Sequence, residues 1–503
     1  MAGVAAASLL LGGCTSFEPD RAVPATVSVQ PETFGLNAVD GEYAPAAWWT
    51  GFGDPVLDSL VADALSSNLD IVAAAARVRR ANAQARIADA GLLPSVNATA
   101  GTSYRNAPLA GSGFGGFPAT GASGDGGGQA GEAPAAQAPT RIETQSYTVG
   151  LGAAYEVDLF GRVRNDRDAA RADALATAQD FYAVRLATAA EAIRTYFEIV
   201  DARRQIALTL ETGDILADRV ERTEERFARG LAESFEVYQV RQDLRTTQAS
   251  LPSREAALAE TEVRLAALLG TYPPDVRARL SQPLLPRLMM DAVPTGLPAD
   301  LLAQRPDVAA AWARLEAARL RIGARRAERF PAIDLSASVG TQGDDPVAAF
   351  DIIDNWVLSL ASNLVAPIFD AGRISGNIAV ARATYDEAAA AYAQSVVVAH
   401  GEVVAALESY EEQRQRYRLL QTQQADAMAA RDLQSRRFAA GVGSYVAVLD
   451  AMRALAQVES ALSSAARDVA FARLGVHRAL GGDWAPDAAV MPLVMIDTDG
   501  TSE

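Results

Sequence analysis

Few residues in this 503-residue chain have the types and spacing that chemistry demands. It holds one cysteine, Cys14, and two histidines, His400 and His477, too few for a disulfide framework or a zinc cluster. No nucleophile–base pair and no Gly-rich phosphate loop stands out. The expectation is a protein that is not an enzyme and carries no cofactor beyond a covalent lipid. Cys14 is the place for that lipid. It follows the apolar run from Val4 to Leu11 and the pair Gly12-Gly13. Leu-Gly-Gly-Cys resembles a bacterial lipobox, in which residues 1–13 form a signal peptide and Cys14 becomes the acylated first residue, although no basic residue precedes the run. No other run reaches the roughly 18 apolar residues of a membrane helix. The balance of 45 basic to 62 acidic residues, every basic one an arginine, gives a net charge of −17 and argues against nucleic acid as a partner. Such acidity serves either surface solvation or an interior that favours cations.

The remaining candidates sit at the ends of one very long repeated element. Between Gly161 and Gly230 there is no proline and one glycine, Gly213. Leu186, Ala189, Ile193, Tyr196, Val200, Ala207 and Leu210 recur at spacings of three and four, a helical period. At about 1.5 Å per residue the rod would run roughly 100 Å, so it requires partner helices. It occurs twice. Gly161-Arg162, Arg226-Phe227, Gly230 and Gly270 match Gly372-Arg373, Arg437-Phe438, Gly441 and Gly481 at a constant offset of 211. An earlier block repeats at an offset of 237, pairing Asp70 with Asp307, Arg77 with Arg314 and Pro94 with Pro331. The chain is therefore a tandem duplication. Each long helix is expected to reach a glycine turn and return as a shorter helix, the first one interrupted and kinked at Pro252.

Between the helices the period changes from 3.6 to 2. A helix starting at Asp54-Pro55 runs to about Gly91 and is broken by Pro94. Val96, Ala98, Ala100, Thr102 and Tyr104 then alternate with small polar residues, and alternation resumes from Tyr147 to Val157 after a Gly/Ala/Pro-rich loop at 105–143. The second half repeats this after Pro331, with Ile333, Leu335, Ala337 and Val339, then Trp356, Leu358, Leu360 and Leu364 before Pro367. Pro94, Pro331 and Pro367 mark the helix–strand breaks. Strands of this length, apolar on one face and small-polar on the other, suit a tilted crossing of a bilayer around a watery lumen.

The resulting organisation is a signal peptide at 1–13, an extended arm at 14–53 ending at Trp48-Trp49, a first repeat at 54–270, a Pro-rich connector at 271–296, a second repeat at 297–482 and an acidic tail at 483–503. The fold class is mostly α with transmembrane β: long coiled-coil hairpins plus four strands. Four strands cannot close a barrel, and open edges leave backbone groups unpaired in lipid. Three copies would give twelve strands and a pore. A homotrimer is expected.

Lipobox, Trp-Trp-Thr-Gly-Phe-Gly-Asp-Pro at 48–55, helix–hairpin–helix duplication and the Arg-Phe-x-x-Gly turns together resemble the TolC-like outer-membrane factors, in particular the OprM and NodT lipoprotein branch. The resemblance spans nearly everything from Cys14 to Gly482. It implies a trimeric tunnel, with a twelve-stranded barrel in the outer membrane and a twelve-helix barrel in the periplasm. The periplasmic tip would be closed at rest and would dock a periplasmic adaptor and an inner-membrane transporter, commonly of the resistance–nodulation–division type. Within the tip, the resemblance assigns Asp450 to an acidic constriction ring, Val446 to an apolar ring and Glu236 to an acid bonding across the gate. Phe438 stands where TolC has a tyrosine and Gly443 where it has an arginine, so any latch must differ. Gly230-Leu231 and Gly441-Val442-Gly443 match the adaptor-docking turns. The expected function is a passive exit duct conducting drugs or small solutes from the periplasm. Two other readings remain at this stage: the duct of a protein or peptide secretion system, and a periplasmic coiled-coil scaffold lipoprotein with no pore.

Overall fold

A computed structural model describes residues 47–108, 141–281, 287–293, 305–347, 350–351 and 353–482. Cys14, the arm before residue 47, most of the 105–143 loop and the acidic tail lie outside the described residues. The chain divides into two compact units. Of the described residues, one comprises those within Arg86–Arg167 and Gly323–Ile378, and the other holds the remainder.

The second unit is helical. Its first described element is a 3-10 turn, Trp48–Phe52, where an extended arm was expected. The turn is held by packing: Trp48 meets Phe52 edge-on at 6.0 Å and Phe52 meets Phe197 at 4.8 Å. Helix α1 (Pro55–Ser67) starts as expected, with Asp54 accepting from the Val56 amide at 2.9 Å. The single helix expected to follow is in fact two. The buried Asn68 side chain ends α1 and caps α2 (Leu69–Ala90), accepting from the amides of Asp70 and Ile71 and donating to the Leu268 carbonyl at 2.9 Å. Windows apolar enough for a membrane helix occur in 55–90, broken here, and in 373–439, against the expectation of none. Alanine supplies much of that apolarity.

The long rods are α3 (Arg162–Ala228) and its return α4 (Ser234–Leu268), which runs on through Pro252 as one helix. A short helix absent from the sequence reading, α5 (Pro273–Arg279), opens the connector; its two leading prolines occupy positions whose amides need no partner. After α6 (Pro306–Ala327) and the second pair of strands come α7 (Arg373–Ala439) and α8 (Tyr445–Ala479). The helices α3 and α7 have 67 residues each, and α4 and α8 have 35 each, so the duplication is retained to the residue.

Where the rods pack, the expected stripe holds only in part. Ala189, Ile193 and Tyr196 are buried, but Ala207 and Leu210 are exposed. Beyond Val200 the inward positions are Asp201, Gln205 and Leu208. Polar residues face inward there because α8 answers them. Arg467 pairs with Asp201 at 2.8 Å, Ser463 donates to Asp201 at 2.6 Å and Ser460 donates to Gln205 at 2.7 Å.

The other unit carries one antiparallel sheet in the order β1-β2-β3-β4, made of β1 (Ser95–Pro108), β2 (Arg141–Val157), β3 (Ala332–Gly343) and β4 (Trp356–Val365). β1 and β2 extend several residues into the stretch read as loop, since their ladder continues through Pro108 opposite Arg141.

Candidate functional site

Two places concentrate the residues of interest, the sheet and the turns joining the long helices. The sheet register aligns one kind of side chain on each face. Ala98 lies opposite Leu151, Leu151 opposite Val339, and Val339 opposite Leu358. One residue along, Asn97 faces Gly152, Gly152 faces Ser338, and Ser338 faces Ser359. Apolar and small-polar faces therefore run across all four strands. The apolar face is bare: Val96, Leu358, Leu360 and Leu364 are each more than half exposed, and every described hydrophobic cluster lies in the helical unit. Such a face needs an apolar surrounding. Pro94 stands just before β1, Pro331 just before β3, and Pro367 between β4 and α7. Two glycines set the closest approach inside the sheet. Gly150 and Gly340 are directly opposite, and a Cβ at Gly340 would lie 2.4 Å from the Val149 carbonyl oxygen and 2.7 Å from the Gly150 Cα.

At the first turn Gly230 has φ +72°, and its amide and that of Leu231 return to the carbonyls of Phe227 and Arg226 at 2.9 and 2.8 Å. Gly441 repeats this at φ +77°, with Val442 donating to Arg437 at 3.0 Å. Both are left-handed helix C-caps that satisfy the last carbonyls. They leave Leu231 and Val442 64% and 69% exposed, as two projecting apolar side chains. A Cβ at Gly443 would press to 2.9 Å on the Phe438 amide nitrogen, so only glycine fits that turn without a shift.

Behind the turns, Leu216, Val240, Tyr445 and Leu449 form a small core joining the two hairpins. Phe438 packs on it, tilted on Tyr445 at 5.4 Å, with the Arg226 guanidinium 4.8 Å over its ring. Thus Phe438 is a contact between hairpins. Val446 is exposed in the first turn of α8, its amide capped by Ser444 at 3.1 Å. Glu236 is half-buried in the first turn of α4. Burial pushes the Tyr445 phenol up, with smaller contributions from the charges of Glu236 and Asp243. Asp450 is exposed, and Arg453 donates to it at 3.2 Å while also pairing with Asp243 on α4. The sequence reading missed Arg453 and Asp243. They lie 210 residues apart, one short of the repeat offset, so no repeat match points to them.

Comparison with known proteins agrees with this architecture. The sequence profile of the outer membrane efflux protein family matches residues 60–271 and 297–482. The chain is 32% identical to the pyoverdine export outer membrane protein OpmQ of Pseudomonas aeruginosa over 88% of each chain. It is 30% identical to the cation efflux system protein CusC of Escherichia coli, over 95% of this chain and 97% of that one. Among solved structures, the outer-membrane channel OprN superposes with a TM-score of 0.83 at 26% identity, covering 94% of this chain and all of the other. The chain belongs to the outer membrane efflux protein family. It is an exit duct for efflux, located in the outer membrane with a large helical periplasmic portion, and its family is one of channels.

Proposed function

We propose that three copies of this chain close a twelve-stranded barrel in the outer membrane and a twelve-helix barrel in the periplasm. The carrying observation is the sheet, with its bare apolar face, its small-polar face and the outer edges of β1 and β4 unpaired among the described residues. In lipid those edges must be paired, and copies of the same sheet pair them. Two copies would make eight strands whose interior side chains fill it, whereas three leave a lumen lined by Asn97, Ser338 and Ser359.

In this reading Cys14 carries the covalent lipid that anchors the chain beside its barrel. The tips form the resting gate, with Asp450 and Val446 toward the axis, Glu236 near the seam and Phe438 holding the hairpins together. The turns at Gly230-Leu231 and Gly441-Val442-Gly443 present their apolar side chains to a periplasmic adaptor. An inner-membrane transporter, of the resistance–nodulation–division type, supplies the energy. The duct selects weakly among drugs and small solutes: one architecture serves relatives whose names specify pyoverdine in one case and cations in another.

The deciding experiment is the native mass of the detergent-extracted outer-membrane fraction. A mass of about three chains is expected. A monomer released without detergent would sink the shared barrel.

A further inference from the structure

Between the four long helices lies a half-open cavity of about 330 Å³, set behind the tip and sharing Arg453 and Asp243 with it. Its floor is apolar, built from Leu216 of α3 and Leu449 of α8, both buried in the core between the hairpins, with Ile215 and Met452 as walls. Its rim is charged, and the charges do not cancel. Two arginines line it and both are taken. Arg431 donates to Asp432 at 2.9 and 2.7 Å, and Arg453 pairs with Asp243 and with Asp450. Two carboxylates line it without a cation of their own among the described residues. Glu211 has none, and the half-buried Glu459 meets only the Gln424 amide at 3.5 Å.

We infer that this cavity is a binding site for a small amphipathic organic cation, with its apolar body on the floor and its charge between Glu211 and Glu459. The volume lies at the lower end of the range for small-molecule sites, and a few polar groups around an apolar floor is the usual composition of such a site. The half-buried Glu459 beside the apolar floor gains more from a cation than a fully aqueous carboxylate would, and the exposed Glu211 adds its charge at the rim. The net charge of −17 raises the local cation concentration further.

The walls come from both hairpins, α3 and α4 on one side and α7 and α8 on the other. The cavity therefore exists only while the hairpins are packed together. An occupant binds that packed arrangement and not a separated one, so it shifts the population toward packed tips, which in the proposed gate are the closed state. The inference adds a regulatory ligand site to the duct, and its binding arm holds whichever residue seals the gate.

Tetraphenylphosphonium is a suitable probe, with neutral triphenylphosphine oxide for comparison. Binding is measured by calorimetry on the full-length protein in lipid nanodiscs, with empty nanodiscs subtracted. We expect saturable binding at one site per chain, weakened at least fivefold by Glu211→Gln with Glu459→Gln, and at least tenfold weaker for the neutral probe. Ala456→Trp, which fills the cavity, should abolish binding, whereas Asp450→Asn should retain it. In planar bilayers the probe should lower the resting conductance of the parent protein and leave that of Ala456→Trp unchanged. Should Ala456→Trp fail to assemble, the two glutamine substitutions decide. Binding that survives them, or that is lost only with Asp450→Asn, overturns the inference and places the cation in the lumen.

Discussion

Asp450 is not a bare carboxylate in the tip. Arg453 reaches it and also joins α8 to Asp243 on α4, so one guanidinium both tempers the acid and ties the hairpins together. The Asp450 side chain is 63% exposed, where a single ion pair adds little stability. In the proposed trimer its effect is therefore on ions near the axis and on the packing of the tip. Asp450→Ala should raise the resting conductance in planar bilayers. Arg453→Ala, which also cuts the tie to α4, should raise it further. Unchanged conductance in both would remove the pair from the gate. A second residue titrates where stability is read. His477 is buried, stacked on Trp48 at 4.0 Å, and burial, with Arg473 nearby, pushes it down to about 3. The unfolded chain protonates this imidazole near pH 6.5 while the folded one keeps it neutral. The contribution is thus complete above about pH 6.5 and is lost as the pH falls toward about 3. His477→Gln should flatten the decline of the melting temperature between about pH 6.5 and 4.5. An unaltered slope would assign the decline to other groups.

Among the elements, the strands carry the sharpest constraint. Their alternation was legible residue by residue, because a lipid-facing and a water-facing surface impose a period of two. The facing glycines Gly150 and Gly340 were legible only as small residues. That they oppose each other at a distance excluding a Cβ is a matter of register between strands from different halves. Gly340→Ala should push β2 from β3 and cost about 1–3 kcal/mol, read as a lower unfolding midpoint and less assembled oligomer. Gly152→Ala is the control, since a Cβ there meets nothing within 4 Å. Equal loss in both variants would mean that the close approach is not what matters. The helix ends were similarly legible, through Asp54-Pro55 at a start and Gly230 and Gly441 at two stops. Asn68 was not, because a polar residue within an apolar period looks like any exposed position until its side chain is seen to cap α2 and reach Leu268.

For the whole molecule, the proposed lipid on Cys14 and the proposed barrel would be separate attachments to the same membrane. Cys14→Ser should abolish palmitate labelling while leaving the oligomer intact, because the sheet still needs lipid on its apolar face. Labelling that persists would refute the anchor. The sequence by itself determined the duplication, the extent of the two long helices and the two-faced strands, since each is a local period closed by a glycine, a proline or a cap. Only the tertiary structure decided which surfaces meet: β2 beside β3, Arg467 on Asp201 across 266 residues, and Arg453 on Asp243 across 210. The physical reason is that a period shows which side of an element must be covered. The identity of the cover depends on residues far along the chain, and where the inward face is polar, as at Asp201 and Gln205, the period itself points to the wrong side.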